Sequence, residues 1–347
     1  MIRSVARCTS HSRTLAPSDA PRTLAPSDAP SHRRTVAPRT LVCVLAMGTL
    51  LASCGRSEAP AEPRPAAEAH DPAVHAAPMT AGWSVTDGIE TPESVYADAA
   101  SGFIFTSQIA GAPDGRDGNG RIVQLGGDGH VVSSTWVTGL NAPKGLRSHN
   151  GTLWTADLDE VVGIDIATAT VTSRTKIDGA QFLNDVAVGS DGTVYVSDMM
   201  ANRIYAVRDG KAAVFAEGEQ LEWPNGLLVD GARLIVGGWG KPKPDFSTDV
   251  PGRLFALDLQ TKQKAPITPK PFANIDGVEA DGRGGYIVSD YLAGKVMQVS
   301  AKGEVRELRQ FKPGSADIGF VAAGNVLLVP HMNENTVASY DLSDVLE

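Results

Sequence analysis

A unit of some forty residues recurs six times from residue 83 onward, and no other feature constrains the fold of this chain as tightly. The segments WSVTDGIETPESVY, WVTGLNAPKGLR, TKIDGAQFLNDVAV, AVFAEGEQLEWPNGLLV, ITPKPFANIDGVEA and LRQFKPGSADIGFV share one plan. Each runs from a strand-like stretch through a Gly- or Pro-containing bend to one polar residue and a small-residue strand. A second strand follows in every unit (FIFTSQ, TLWTAD, TVYVSD, RLIVGG, YIVSD, LLVPH), and then a third (RIVQL, VVGID, RIYAV, RLFAL, KVMQV, TVASY). Alternating β-branched and aromatic residues between Asp-Gly, Asn-Gly and Gly-Gly turns read as antiparallel strands in a meander. Four strands per unit at this period is the pattern of a propeller blade, and residues 83–347 leave about 44 residues for each of six blades. The last unit stops after its third strand, so WSVTDG is expected to supply the outer strand of blade six and lock the ring. The expectation is all-β: a six-bladed β-propeller closed by an N-terminal outer strand. A two-sheet sandwich, the main alternative, gives no reason for a sixfold period.

The first eighty residues read as address rather than fold. Residues 41–51 (LVCVLAMGTLL) are apolar and follow Arg33, Arg34 and Arg39. The run is too short to span a membrane as a stable helix but suits a signal-peptide core. It ends in Leu-Ala-Ser-Cys-Gly, which resembles the lipobox of bacterial lipoproteins, with Cys54 as the lipidated residue. The expectation is an exported lipoprotein on the periplasmic face, touching the membrane only through its lipid. RTLAPSDAP stands twice in tandem at 13–21 and 22–30, so residues 1–32 are expected to lie upstream of the true start within a signal segment 1–53. Residues 54–82, Ala/Pro/Glu-rich and nearly free of large apolar side chains, read as a tether. Residues 1–53 carry seven Arg against two Asp; the remainder carries 24 Lys+Arg against 38 Asp+Glu. A domain that acidic repels phosphate backbones and excludes a nucleic-acid partner. The three cysteines, Cys8, Cys43 and Cys54, leave no thiol in the repeats for a disulfide, a zinc cluster or a nucleophile.

The polar residue after each bend falls at Glu93, Lys144, Asn184, Asn225, Asp276 and Asp317. Inner strands line the channel of a propeller, so these six are expected to form one ring around its axis. Three carboxylates against one ammonium are costly in a confined space unless a cation neutralises them. An all-oxygen donor set points to a hard divalent metal, calcium before magnesium. The competing reading is turn-capping side chains around a water-filled channel. Long connections after the second strand in blades one (IAGAPDGRDGNG) and four (WGKPKPDFSTDVPG) are expected to face each other over the ring as pocket walls. Asp157, Asp198 and Asp290 end their second strands in positions suited to capping the turn. His331 breaks that series and is a candidate proton shuttle, weighed against an ordinary packed histidine. The sequence lacks a P-loop and a G-x-S-x-G elbow.

PES at 92–94, FLND at 182–185, PNG at 224–226 and IDG at 275–277, each opening a blade, resemble the senescence marker protein (regucalcin), gluconolactonase and luciferin-regenerating enzyme family. The resemblance covers residues 83–347. It implies a six-bladed fold with a divalent ion in the channel, held by Glu93, Asn225 and Asp276, with Asn184 near the ion and Asp276 activating water. Lys144 departs from that pattern; it is expected to hold an anionic substrate group or to pair with Asp317. The functional expectation is a monomeric, calcium-dependent hydrolase of small-molecule lactones or related esters. Asp276, or Asp317 through water, would accept the proton, and Lys144 and Asn184 would orient substrate. The rival is a non-catalytic binding or assembly module of the cell envelope, with a strictosidine-synthase-like or lyase-like propeller as a further competitor.

Overall fold

A computed structural model describes residues 79–346. The signal segment, Cys54 and the tether up to residue 78 lie outside the described residues. Among the described residues the chain forms six four-stranded antiparallel sheets, each a meander of consecutive strands, arranged as a six-bladed β-propeller. The helical content there is three one-turn 3-10 segments, Glu219–Leu221, Ala322–Gly324 and Met332–Glu334.

The inner strands are Pro92–Ala97, Pro143–His149, Leu183–Val188, Pro224–Asp230, Ile275–Ala280 and Gly319–Val321. Blades pack through apolar faces such as Phe105, Trp136, Leu146 and Leu153 between blades one and two, where the rings of Phe105 and Trp136 lie 4.6 Å apart. Blade six closes as expected. Ser84–Val85 pairs with Thr336–Asp341 through Ser84↔Ala338 and Val85↔Val337, placing the N-terminal strand on the outer edge of the last sheet. Residues 79–82, at the end of the expected tether, make contacts with the blades. Thr80 N–H donates to the Gly127 carbonyl (3.0 Å) and Gly82 N–H to that of Ser339 (3.1 Å), while Met79 and Ala81 join the apolar cluster around Val95 and Val337.

One local irregularity builds the channel. In blades one to five the register between the first and second strands slips just after the first paired residue, for example between Leu183 and Val186 or between Ile275 and Val278. Such a bulge gives the first strand one residue more than the second, two against one in blades two to five and Glu93 alone in blade one. The freed backbone is satisfied from the second strand: Ser107, Ser197 and Ser289 accept from the N–H of Ser94, Asp185 and Gly277 at 3.0, 2.9 and 2.8 Å. Where the second bulge residue is glycine, space demands it. A Cβ on Gly145 would stand 2.1 Å from Asp185 Oδ1, and one on Gly226 2.1 Å from the Asp276 carbonyl. The serine before the strand-end acid and the glycine after the polar residue, both repeated in the sequence, are thus the marks of the bulge.

Candidate functional site

In blades one to five the first bulge residue is the expected ring residue. Glu93, Lys144, Asn184, Asn225 and Asp276 occupy this step in blades one to five, and all five line a cavity of about 240 Å³ at the end of the channel. Blade six differs from the sequence reading. Ser315 bridges to His331 and Gly319 pairs with Leu328, as Ile275 pairs with Asp290 in blade five. That places Ala316 at the ring step and Asp317 one residue deeper, level with Asp185 and Ser94. The spacing hid this, because gaps of 40 and 41 both occur between ring residues: Lys144 to Asn184 is 40 and Asn184 to Asn225 is 41.

The ring oxygens are the unusual chemistry. Glu93 Oε2, Asn184 Oδ1, Asn225 Oδ1 and Asp276 Oδ1 are buried without a hydrogen-bond partner, each from a residue facing the same cavity. Buried polar atoms nearly always have partners, so four orphans around one space describe a site shaped for something that binds oxygen. Asn225 turns its amide to Asp276, fixing its own carbonyl oxygen toward the opening. Burial, followed by the neighbouring Asp276 and Asp317 charges, holds the Glu93 carboxyl well above the usual carboxylate range, with Lys144 opposing. Burial and then Asp317 raise Asp276 likewise, against the Asn225 bond. Two carboxylates and two amides, all oxygen, fit a hard divalent cation. Among the described residues no group of three or more His, Cys, Asp or Glu forms a metal site; amides make up half of this donor set.

Beneath the ring lies a second polar layer. Asp317 accepts from Ser94 Oγ at 2.5 Å, and Asp185 accepts from the N–H groups of Leu227 and Val186, both at 2.6 Å. Arg147 of blade two reaches Glu279 of blade five at 2.8 Å, a largely buried ion pair across the channel. Burial raises Asp317, with Asp185 adding, and pushes Asp185 up to about 7 despite Arg147. This layer supports the ring from below.

Lys144 is 2% exposed and does not pair with Asp317. Its Nζ donates to the carbonyls of Pro113 (3.0 Å) and Ala142 (3.1 Å) and sits 4.7 Å from the Phe182 ring centroid. Burial lowers its pKa, against the pull of Glu93. Lys144 faces the cavity and also ties the blade-one loop, through Pro113, to the ring. The loops of blades one and four do rise over the ring: Ile109 and Pro113 come from the first, Trp239, Asp245 and Phe246 from the second. The predicted caps are present too. Asp157 accepts from the N–H groups of Asn141 and Ala142, and Asp198 from those of Gln181 and Phe182, at 2.8–3.0 Å.

His331 lies elsewhere. Its Nε2 meets the Tyr340 hydroxyl at 2.9 Å, its ring packs edge-on against Phe311, and it lines a separate hollow with Lys312 and Glu334. Burial lowers its pKa. It therefore does not reach the reacting centre expected of a shuttle. Sequence reasoning missed the remaining walls, Phe182, Met199, Tyr291, Leu292 and Met332. A signal existed: the residue directly after the second strand is large in blades three, five and six (Met199, Tyr291, Met332).

No family model matches the chain, and no curated protein matches its sequence. Among solved structures, a streptogramin B lyase superposes with a TM-score of 0.51 at 11% identity, over 74% of this chain and 95% of that one. A selenomethionine-substituted virginiamycin B lyase from Staphylococcus aureus gives 0.50 at 12%, over 74% and 97%. A gluconolactonase from Xanthomonas campestris gives 0.50 at 18%, over 73% and 84%. At these identities the likeness is one of fold, and it places this chain among six-bladed propellers.

Proposed function

We propose that this propeller is a divalent-metal-dependent hydrolase of lactones or related esters, with calcium at the ring. The observation that carries the reading is the set of four orphaned oxygens, from Glu93, Asn184, Asn225 and Asp276, around one cavity under two loops. The gluconolactonase among the structural neighbours is consistent with it. Glu93, Asn225 and Asp276 would hold the ion and Asn184 would complete the oxygen set; a hard cation there supplies polarisation of an ester carbonyl and stabilisation of the developing oxyanion. Asp276 Oδ1 is the base for the attacking water: it faces the cavity, and its raised pKa lets it keep a proton transiently. Asp317, one residue deeper, positions the ring through Ser94 instead of meeting substrate. Lys144 fixes the loop beside the reacting centre and excludes water there. The apolar run before Cys54 supports attachment by lipid on the periplasmic face of the cell envelope, which mass spectrometry of the membrane-fraction protein would test through the acylated Cys54 peptide.

The direct test follows acid release from a panel of δ-lactones, with calcium and then with excess chelator. Calcium-dependent hydrolysis that returns on adding the metal back supports the reading. Hydrolysis indifferent to chelator refutes the metal role, and calcium binding with no turnover of any lactone favours a binding module.

A further inference from the structure

The ring sets the chemistry, but the walls above it select the molecule. Phe182 and Phe246 stand on one side with ring centroids 5.7 Å apart, and Trp239 and Tyr291 form a second pair at 5.8 Å. Met199 and Met332 complete the lining. Most of the polar atoms these walls possess are already committed. Trp239 Nε1 donates to the Phe246 carbonyl at 3.0 Å, which fastens the blade-four loop over the cavity. The Tyr291 hydroxyl meets Met332 Sδ at 3.4 Å, and Lys144 donates to two carbonyls. Asp245 accepts within its own loop from the Ser247 N–H and hydroxyl through Oδ1. A ligand rising from the ring therefore meets carbon, sulfur and aromatic faces, with few free donors or acceptors. A hydroxyl placed there loses its water with few partners to replace it, which selects against a polyol.

We infer that the substrate is a lactone bearing an apolar alkyl or aryl substituent, not a polyhydroxylated one, with that substituent held between Phe182, Phe246, Trp239 and Tyr291. The inference rests on the proposed lactone hydrolysis for its reacting group, and on the walls alone for its selectivity. At about 240 Å³ the cavity lies below the ~300–1,000 Å³ range of sites for drug-sized ligands, so it accommodates one ring with a short substituent. Methionines beside aromatic rings adapt to varied apolar shapes, so selection acts on polarity more than on outline.

Two lactones of equal ring size separate the possibilities: δ-decalactone, carrying a pentyl chain, and glucono-δ-lactone, carrying hydroxyls. With calcium present, kcat/KM for δ-decalactone is expected to exceed that for glucono-δ-lactone at least tenfold. Phe246→Ala should raise KM for δ-decalactone at least fivefold while leaving kcat within about twofold. Equal or better turnover of glucono-δ-lactone overturns the inference and leaves lactone hydrolysis standing. The corresponding lactams, which resist hydrolysis, give a readout independent of turnover by calorimetry. Binding of the alkyl lactam in preference to the polyhydroxylated one supports the apolar site even if no lactone is cleaved. Failure of the alkyl lactam to bind, or its equal binding to Phe246→Ala, overturns it.

Discussion

Asp276 combines three properties at one atom: it is buried, its Oδ1 lacks a partner, and it faces the cavity beside Asn225. Asp276→Asn keeps the shape and removes both the charge and the base. It is expected to lower kcat/KM by about 10²–10⁴, the usual worth of a positioned acid or base, with the circular dichroism spectrum unchanged. A loss below about tenfold would move the base to another group. At this scale the sequence was legible wherever residue type and step coincide. Glu93, Lys144, Asn184, Asn225 and Asp276 each follow a bend at the same step, and all reach one cavity. Asp317 was misplaced by one residue because the order of Asp and Ile in ADIGF inverts that in IDGV, so the only carboxylate near the bend stands one residue past the ring step. His331 was misjudged because a strand end gives the height of a side chain, not the neighbour it packs on.

Between residue and fold stands the blade-one loop, residues 109–119, tied down by Lys144. Lys144→Met retains the stem that packs near Phe182 but abandons the carbonyls of Pro113 and Ala142. The stability loss by urea titration is expected at about 1–3 kcal/mol, the cost of unpaired buried acceptors. Because the loop walls the cavity, KM should rise more than kcat falls; a dominant loss in kcat would instead place the ammonium on the substrate. The insertions in blades one and four announced these walls by length alone, since a propeller turn needs few residues. The apolar wall from Phe182, Met199, Tyr291 and Met332 comes from short connections of ordinary length. Nothing in length or charge separated those residues from core until the ring gave them a common centre.

For the whole molecule, closure and charge set stability together. The ring closes through the two-residue pairing of Ser84–Val85 with the last blade, reinforced by Trp83, whose backbone exchanges hydrogen bonds with Ser339. Trp83→Ala is expected to cost about 1–3 kcal/mol through lost apolar burial, seen as a lower thermal midpoint. A midpoint unchanged within a degree would show closure to be unimportant. The channel carboxylates act in the opposite sense to ordinary salt-bridged acids. Glu93, Asp185, Asp276 and Asp317 all have folded pKa values above their unfolded ones, with Asp185 near about 7. Between those limits the native state binds more protons than the unfolded state, so stability falls as pH rises from the ordinary carboxylate range through the folded values. The metal-free protein should therefore melt lower at about pH 8 than at about pH 5, and calcium should restore the midpoint at the higher pH. Sixfold architecture was the most legible level, because each blade repeats its strands, while the bulge serine recurs in blades one, three and five and the glycine in blades two, four and five.

The central claim is that the ring is a cation site, and calcium titration by calorimetry of the metal-free protein tests it most directly, with Glu93→Gln beside the parent. The account predicts one calcium per chain, proton release that grows as pH falls toward the raised carboxylate values, and binding weakened at least tenfold in Glu93→Gln. No heat of binding in the folded parent, or equal affinity in the variant, would contradict it and leave the ring a water-filled set of capping side chains.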